Sequence, residues 1–119
     1  MVNLSILKMK INKLYYHIYF NNNREEIKRL FINKGEEIKI IKIIIDYQIK
    51  SFEVLFDDCT CIETIYFKKF YRNNINNMDL MFSGCSSLKE IKGINNFNTI
   101  NITNFRGMFS ECFELTVLN

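Results

Sequence analysis

A motif that returns at a nearly fixed spacing constrains the fold of this chain more than any other feature. DLMFSGCSSLKEI at residues 79–91 returns as GMFSECFELTVL at residues 107–118, so that Phe82 and Phe109 occupy equivalent positions. A weaker copy, FDDCTCIETI at residues 56–65, precedes the first at an interval one position shorter, with Phe56 as the equivalent residue. A period of about 20–50 residues is typical of stacked repeats, in which one unit cannot bury its apolar face alone and its neighbours cover it.

Each copy carries an aromatic residue, a cysteine and two aliphatic residues in the same order. We predict that these residues form the repeat core: Phe56, Cys59, Ile62, Ile65, Phe82, Cys85, Leu88, Ile91, Phe109, Cys112, Leu115 and Leu118. Asn77 and Asn104 each favour a short helical turn, because an Asn side chain satisfies the free amides at its start. Leu88 and Ile91 favour a short strand. The repeat region, residues 51–119, divides into units at 52–77, 78–104 and an incomplete 105–119.

The first fifty residues predict a small β-α-β cap in front of the repeats. Apolar and polar residues alternate over positions 7–12, which indicates a half-buried strand. Asn23 is a candidate N-cap for a short helix, and Gly35 supplies its end. Residues 38–45 are rich in β-branched side chains and favour a second strand. We therefore treat residues 1–50 as a β/α cap and residues 51–119 as the repeats.

The repeated segment also resembles a known family. MFSGCSSLKEI, followed by INNFNTINITN and GMFSECFEL, is similar to the BspA-type leucine-rich repeat of bacterial surface proteins, mycoplasma lipoproteins and many protists, whose unit reads close to MFxGCSSLxxLDLSxFNTSNVTNM. The resemblance is strong for residues 78–118 and weak for 52–77. It implies no catalytic apparatus and a role in adhesion or protein binding. The expected fold is an α+β repeat, a leucine-rich-repeat-like solenoid of short strands and helical turns behind the β-α-β cap.

The formal charge of +3 is distributed unevenly along the chain. Residues 1–50 carry ten Lys or Arg and five Asp or Glu, whereas residues 51–119 carry six and eight. A basic half attracts nucleic acid or an anionic membrane surface, and four aromatic residues in it suit base stacking: Tyr15, Tyr16, Tyr19 and Phe20. The same lysines also suit the solvated face of a strand, and the same aromatics suit a β-rich core. Weak nucleic-acid binding is therefore an alternative that we place below a structural role.

Catalytic and metal-binding patterns are weak in this sequence. Its one histidine, His17, lies in LYYHIYF, where a structural or surface role is the simpler interpretation. The four cysteines include one CxC pair, whereas a structural zinc site draws on paired CxxC-like knuckles. Three of them share one repeat position and favour buried thiols on adjacent units: Cys59, Cys85 and Cys112. Cys61 lies outside that position, and we expect it to be exposed. We predict no enzyme activity, no cofactor and no metal site.

The sequence as a whole predicts a non-enzymatic protein-protein interaction or adhesion module. Polar residues that flank core positions of the second unit form the candidate partner face: Lys89, Glu90, Lys92 and Asn95. A second hypothesis makes the chain a piece of a larger array without independent function, because the third unit is incomplete and its uncovered end predicts self-association. No stretch approaches the ~20 apolar residues of a membrane span. We expect a soluble intracellular protein if the chain is complete, and a cell-surface location if it belongs to a larger protein.

Overall fold

The computed structural model describes residues 4–5, 14–29, 31–33, 35–68 and 72–119. Among them are seven short strands and one 3-10 helix: β1 (Leu4–Ser5), β2 (Tyr16–Phe20), β3 (Phe31–Ile32), β4 (Ile41–Ile45), β5 (Thr64–Tyr66), β6 (Glu90–Lys92), the 3-10 helix (Ile94–Asn96) and β7 (Val117–Leu118).

The described strands form three small sheets. β1 pairs with β3, and β2 pairs with β4, both antiparallel, with Ile18 opposite Ile43 in the second pair. β5, β6 and β7 form a parallel sheet with β6 in the centre. Ile65, Ile91 and Leu118 share one register position across this sheet. That register reproduces the spacing of the sequence motif.

The prediction of an α+β leucine-rich-repeat-like solenoid is wrong. The described residues contain no α-helix, and their strands are divided among separate sheets of two, two and three strands. Where helical turns were expected, Asn77 and Asn104 form isolated parallel β-bridges, and the segments after them are runs of consecutive turns. The described part of the chain is therefore a nearly all-β and coil structure.

Two residues with left-handed backbone conformation prevent each turn segment from becoming a helix. They are four positions apart and recur at equivalent places: Val54 and Asp58, Leu80 and Gly84, and Gly107 and Glu111. A left-handed residue interrupts a right-handed helix, because the backbone hydrogen bonds no longer follow one spiral. In the first segment, the N–H groups of Leu55, Asp57 and Cys59 donate within the segment, each to the carbonyl three residues earlier. The N–H groups of the residues between these, such as Phe56, do not donate within the segment.

The predicted helix of the N-terminal cap is also absent from the described residues. Ile27 instead forms an antiparallel bridge with Ile18, and its N–H donates to the Ile18 carbonyl at 2.7 Å. The Asn23 side chain accepts a hydrogen bond from the N–H two residues later, which makes a local turn without a helix after it. The predicted strand at 7–12 lies outside the described residues, while the one predicted at 38–45 corresponds to β4.

Three segments of the repeat region lie side by side. We call them rung 1 (51–68), rung 2 (77–93) and rung 3 (104–119). Parallel bridges join Ser51 to Asn77 and Asn77 to Asn104 at the start of the rungs, and β5, β6 and β7 join them further along. The Asn77 side chain accepts the N–H of Asp79 at 2.8 Å, so this Asn does satisfy a turn amide as expected.

One continuous hydrophobic core joins the rungs to the N-terminal strands. Tyr16, Ile18 and Phe20 line the buried face of β2 and belong to the same core as Phe52 and Leu55 of rung 1. The N-terminal strands therefore cover the apolar side of rung 1, which no preceding rung covers.

Arg72 fixes the N-terminal part against the rungs. Its guanidinium donates to the carbonyls of Asp46 and Ile49, both at 2.7 Å, and lies 5.8 Å from the centre of the Phe52 ring. Partial burial of the guanidinium lowers the pKa of Arg72. The connection between the two parts is therefore polar as well as apolar.

Candidate functional site

Hydrogen bonds between neighbouring rungs all follow one pattern along the turn segments. Alternate N–H groups of one rung donate to alternate carbonyls of the next. From rung 1 to rung 2 the bonds are Phe52 to Asn77 (2.8 Å), Val54 to Asp79 (2.9 Å), Phe56 to Met81 (2.8 Å) and Asp58 to Ser83 (2.7 Å). From rung 2 to rung 3 they are Met78 to Asn104 (2.9 Å), Leu80 to Arg106 (2.8 Å), Phe82 to Met108 (3.0 Å) and Gly84 to Ser110 (2.8 Å).

The equivalent N–H groups of rung 3 have no acceptor within the described ranges. They belong to Phe105, Gly107, Phe109 and Glu111, and we call this row of donors the open edge. A β-strand at the edge of a sheet presents a similar row of unpaired backbone groups, which serves as a template for another chain. The open edge is therefore the strongest candidate for a binding site.

Aromatic side chains continue the stack up to the open edge. The Phe56 and Phe82 rings stack with centres 5.7 Å apart, and the Phe82 and Phe109 rings stack at 5.5 Å with planes 3° apart. Phe82 lies between two rings and is 0% exposed, whereas Phe109 has a ring on one side and is 37% exposed. One face of Phe109 is thus available for a further ring.

Rung 3 exposes apolar residues at several positions that rung 2 buries, although Met108 remains buried. Phe105 is 47% exposed against 1% for its equivalent Met78, and Leu118 is 51% exposed against 0% for its equivalent Ile91. Phe113 is also well exposed. A concentration of large apolar side chains at one end of a small protein marks an interaction surface.

The predicted repeat-core residues fall into two groups in the structure. Those of rungs 1 and 2 are buried or packed against the core: Phe56, Cys59, Ile62, Ile65, Phe82, Cys85, Leu88 and Ile91. In rung 3, Cys112 and Leu115 are half-buried and pack on the core, while Phe109 and Leu118 are exposed. The structure thus brings all of them to one stack but leaves its last layer open.

Three cysteines form a ladder through the rungs. The Cys85 thiol donates to the Phe56 carbonyl and the Cys112 thiol to the Phe82 carbonyl, both at 3.0 Å. Burial raises the pKa of Cys85 to about 12 and also raises that of Cys112. All four cysteines are free thiols, and Cys61 is exposed. A raised thiol pKa disfavours the thiolate, so the ladder suits packing and not nucleophilic chemistry.

The candidate partner face predicted from the sequence lies on and beside β6, where its charges pair with one another. Lys89 Nζ is 2.6 Å from Glu63 Oε1 of rung 1, and this pair lowers the pKa of Glu63 and raises that of Lys89. Lys92 Nζ is 3.9 Å from Glu90 Oε2, and Asn95 is exposed beyond β6. Glu90 and Lys92 share the face of β6 opposite the buried Ile91.

Asp79 is a buried carboxylate that sequence reasoning missed. Its Oδ1 accepts the N–H of Arg106 at 2.5 Å, and its Oδ2 is 3.8 Å from the Arg106 guanidinium. Because its own carbonyl also accepts from Val54, Asp79 links all three rungs. No signal in the sequence distinguishes it from a surface acid.

The open edge itself was also missed, although the glycines carry a faint signal for the turns that create it. Gly84 in rung 2 and Gly107 in rung 3 occupy different positions of the repeat, and these are the two left-handed positions. When the two repeats are aligned, Gly107 marks the first left-handed position and Gly84 marks the second, four residues later.

His17 is held between two carboxylates at the N-terminal end of the molecule. Its Nδ1 lies 3.0 Å from Glu26 Oε1 and its Nε2 lies 3.2 Å from Asp46 Oδ1. These bonds, the one to Asp46 first, raise the pKa of His17. Both ring nitrogens are engaged, so this histidine connects β2 to the end of β4 and to the turn before Ile27.

Other classes of site find little support in the described residues. Within those ranges no group of three or more His, Cys, Asp or Glu side chains is placed to hold a metal ion. No helix there has the length and apolar character needed to cross a bilayer. Tyr16 and Phe20, two of the aromatics considered for base stacking, are buried.

Comparison with other proteins identifies a family but no individual relative. No curated protein and no solved structure gives a significant match. Residues 26–117 match a family described as Mycoplasma protein of unknown function, DUF285. The matched region includes β4, rungs 1 and 2, and nearly all of rung 3. The chain therefore belongs to the DUF285 family of Mycoplasma proteins.

Proposed function

We propose that this chain is a non-enzymatic protein-protein interaction module that binds its partner through the open edge. The observation that carries the proposal is the row of four backbone donors next to exposed aromatic rings on rung 3. The resemblance of the repeated motif to BspA-type repeats supports the same class of function, including adhesion. Weak nucleic-acid binding has no comparable feature in its favour among the described residues.

Backbone donors and apolar rings together favour a polypeptide partner. A chain laid along a row of alternate N–H groups gains main-chain hydrogen bonds, and neighbouring side-chain pockets provide specificity. Each such bond contributes about 0.5–1.5 kcal/mol net, and burial of apolar area adds roughly 25 cal/mol per Å². The four donors of Phe105, Gly107, Phe109 and Glu111 would together contribute about 2–6 kcal/mol. Because association costs about 4–15 kcal/mol, binding also requires the apolar area of the rings at 105 and 109.

The polar face on β6 is a weaker candidate for the main contact. Lys89 is already paired with Glu63, and Lys92 lies near Glu90. Exposed ion pairs of this kind contribute little, because water and salt screen them, and a partner that breaks them must replace them. This face supports a secondary, electrostatic contribution.

Site-specific photo-cross-linking in the source cells tests the proposal. A benzophenone amino acid at position 109 replaces one aromatic ring by a larger one at the open edge. We expect a discrete protein adduct that excess unlabelled chain suppresses and that an excess of the Phe109→Asp variant does not, because the charged side chain disfavours the apolar contact.

The matched control places the same photo-reactive residue at position 66. Tyr66 is exposed and lies on β5 beside Lys92, so this variant reports on the polar face. An adduct at position 66 with none at position 109 would move the binding surface to that face. Absence of saturable adducts at both positions would contradict the proposed function.

A further inference from the structure

We infer that the open edge binds a further repeat segment of the same kind. The polypeptide that presents this segment must leave the segment's apolar side exposed, whereas the N-terminal strands cover that side of rung 1 in this chain. The inference deepens the proposed function and rests on it. It names the chemistry of the partner: free carbonyls at every second residue, an aromatic residue between the third and fourth of them, and a cysteine three positions after the aromatic residue.

The direction of the hydrogen bonds determines what the partner must supply. Along the turn segments, each rung donates to the next and accepts from the one before. In rung 3 the carbonyls that face rung 2 are occupied: Asn104, Arg106, Met108 and Ser110. The carbonyls of Phe105, Gly107 and Phe109 accept N–H groups within the rung. The open edge thus offers donors, and its occupant must bring carbonyls at every second residue.

Side chains add a second requirement. The Phe82 carbonyl accepts two hydrogen bonds, one from the Cys85 N–H at 3.1 Å and one from the Cys112 thiol at 3.0 Å. The Phe109 carbonyl accepts only the Cys112 N–H among the described donors. A thiol from a following rung would fill the remaining position, just as its aromatic ring would stack on Phe109. The Phe-x-x-Cys order of the repeat meets both needs.

Two copies of this chain cannot pair through their open edges. Such an arrangement sets the N–H groups of Phe105, Gly107, Phe109 and Glu111 against the same groups of the partner. Donors would face donors, and each unpaired buried amide costs about 1–3 kcal/mol. Self-association of the open edge with itself is therefore disfavoured.

A head-to-tail contact between copies meets only part of the polar requirement. Four carbonyls of rung 1 that do not face rung 2 have no donor within the described ranges, namely Ser51, Glu53, Leu55 and Asp57, but Leu55 is fully buried and its carbonyl is out of reach of a second copy. The apolar side of that rung is already covered, because Phe52 and Cys59 are fully buried. Phe109 and Leu118 of one copy would thus find no apolar surface on the next. A repeat without such a cover satisfies both requirements.

An extended chain tests this inference. A second copy of residues 93–119 is appended after Asn119, so that the added rung follows rung 3 at the spacing that separates rung 3 from rung 2. Amide hydrogen exchange is then measured at Phe105, Gly107, Phe109 and Glu111. We expect exchange at these amides to slow by about 100-fold or more, towards that of Met78, Leu80, Phe82 and Gly84.

The control extension carries Phe109→Ser and Cys112→Ser changes in the appended copy alone. It keeps the length, the backbone and the glycine, and we expect most of the added protection to be lost. Equal protection with both extensions, or none with either, would overturn the assignment of a repeat as the occupant. The unmodified chain titrated with a synthetic peptide of residues 77–103 provides a second measurement, in which the same four amide resonances should shift.

Sedimentation of the unmodified chain completes the test. We expect a monomer over a wide concentration range, and growth into longer assemblies with concentration would show that a second copy is the occupant. Failure of this inference can be distinguished from failure of the proposed function. If position 109 forms a saturable cross-link but the open-edge amides of the extended chain remain unprotected, the inference about the repeat is overturned. The chain would then still be a binding module, with a partner of different chemistry.

Discussion

Rungs 2 and 3 carry the same motif in different surroundings. Phe82 and Ile91 of rung 2 are fully buried, while their equivalents Phe109 and Leu118 are 37% and 51% exposed. The backbone conformation and the hydrogen bonds to the preceding rung are alike in both. The motif therefore specifies the shape of a rung, and only the presence of a following rung buries it. Whether a side chain of the motif is buried therefore depends on whether its rung lies inside the stack or at its end.

The largest expected difference between the two rungs lies at their aromatic residues. Phe82→Ala removes a ring stacked on both sides and should lower the free energy of unfolding by about 3–5 kcal/mol. Phe109→Ala removes a ring with one open face and should lower it by about 1–2 kcal/mol. Urea unfolding of both variants measures the two values, and equal losses would mean that rung 3 is covered in solution.

A glycine comparison should give effects of opposite sign. Gly84 has a φ of +73°, and a Cβ added there would lie 2.2 Å from Asp58 Oδ1, so Gly84→Ala should destabilise the chain by about 2 kcal/mol. Glu111 occupies the equivalent position of rung 3 with a φ of 59°. Glu111→Gly should stabilise it by about 0.5 kcal/mol, because glycine adopts this conformation without steric cost. Thermal unfolding of both variants tests this, and a stabilising Gly84→Ala change would refute the left-handed geometry.

Thiol labelling should distinguish the rungs as well. Burial raises the pKa of Cys85 to about 12, and its side chain is fully buried, whereas Cys112, whose pKa burial also raises, is only half-buried. We expect iodoacetamide at pH 8 to modify Cys61 first and Cys112 about tenfold or more faster than Cys85. Peptide mass spectrometry at timed intervals measures the rates. Similar rates for Cys85 and Cys112 would indicate that rung 3 separates and exposes rung 2.

The smallest expected effect is a pH dependence of thermal stability that His17 produces at the covered end of the stack. Its carboxylate partners raise the folded-state pKa above the ordinary value near 6.5, so the protonated form stabilises the fold. This contribution is complete below about pH 6.5 and is lost as the pH rises through the higher folded-state pKa. His17→Gln should reduce the loss of thermal stability between about pH 6 and pH 9. An unchanged pH profile in this variant would assign the dependence to other groups. The protection factors of the open-edge amides at one pH should not respond to the His17→Gln change.

Part of this architecture could be read from the sequence and part could not. The nearly constant spacing of the motif corresponds to the register in which Ile65, Ile91 and Leu118 align. The prediction of helical turns after Asn77 and Asn104 was wrong, because a helical turn and a run of turns with two left-handed residues can place the same side chains inside. The helical turn and the observed turns differ in the direction of alternate N–H groups. The pattern of apolar side chains in the sequence carries no information on that direction.

The open edge escaped prediction for a different reason. It is made of main-chain groups that every residue possesses, so no residue type marks it, and the predicted partner residues were chosen from charged side chains such as Lys89. The helix expected after Asn23 failed because Ile27 pairs with Ile18, a contact between positions that local propensity does not connect.

The uniform direction of the bonds along the turn segments also has an electrostatic consequence. Aligned peptide groups add their dipoles, as they do along an α-helix, and partial positive charge accumulates at the end where the N–H groups are free. In this molecule that end is the row of N–H groups from Phe105 to Glu111. An α-helix builds such a field along a single segment of chain. Here separate segments build it across the rungs, so its strength depends on how many of them are stacked.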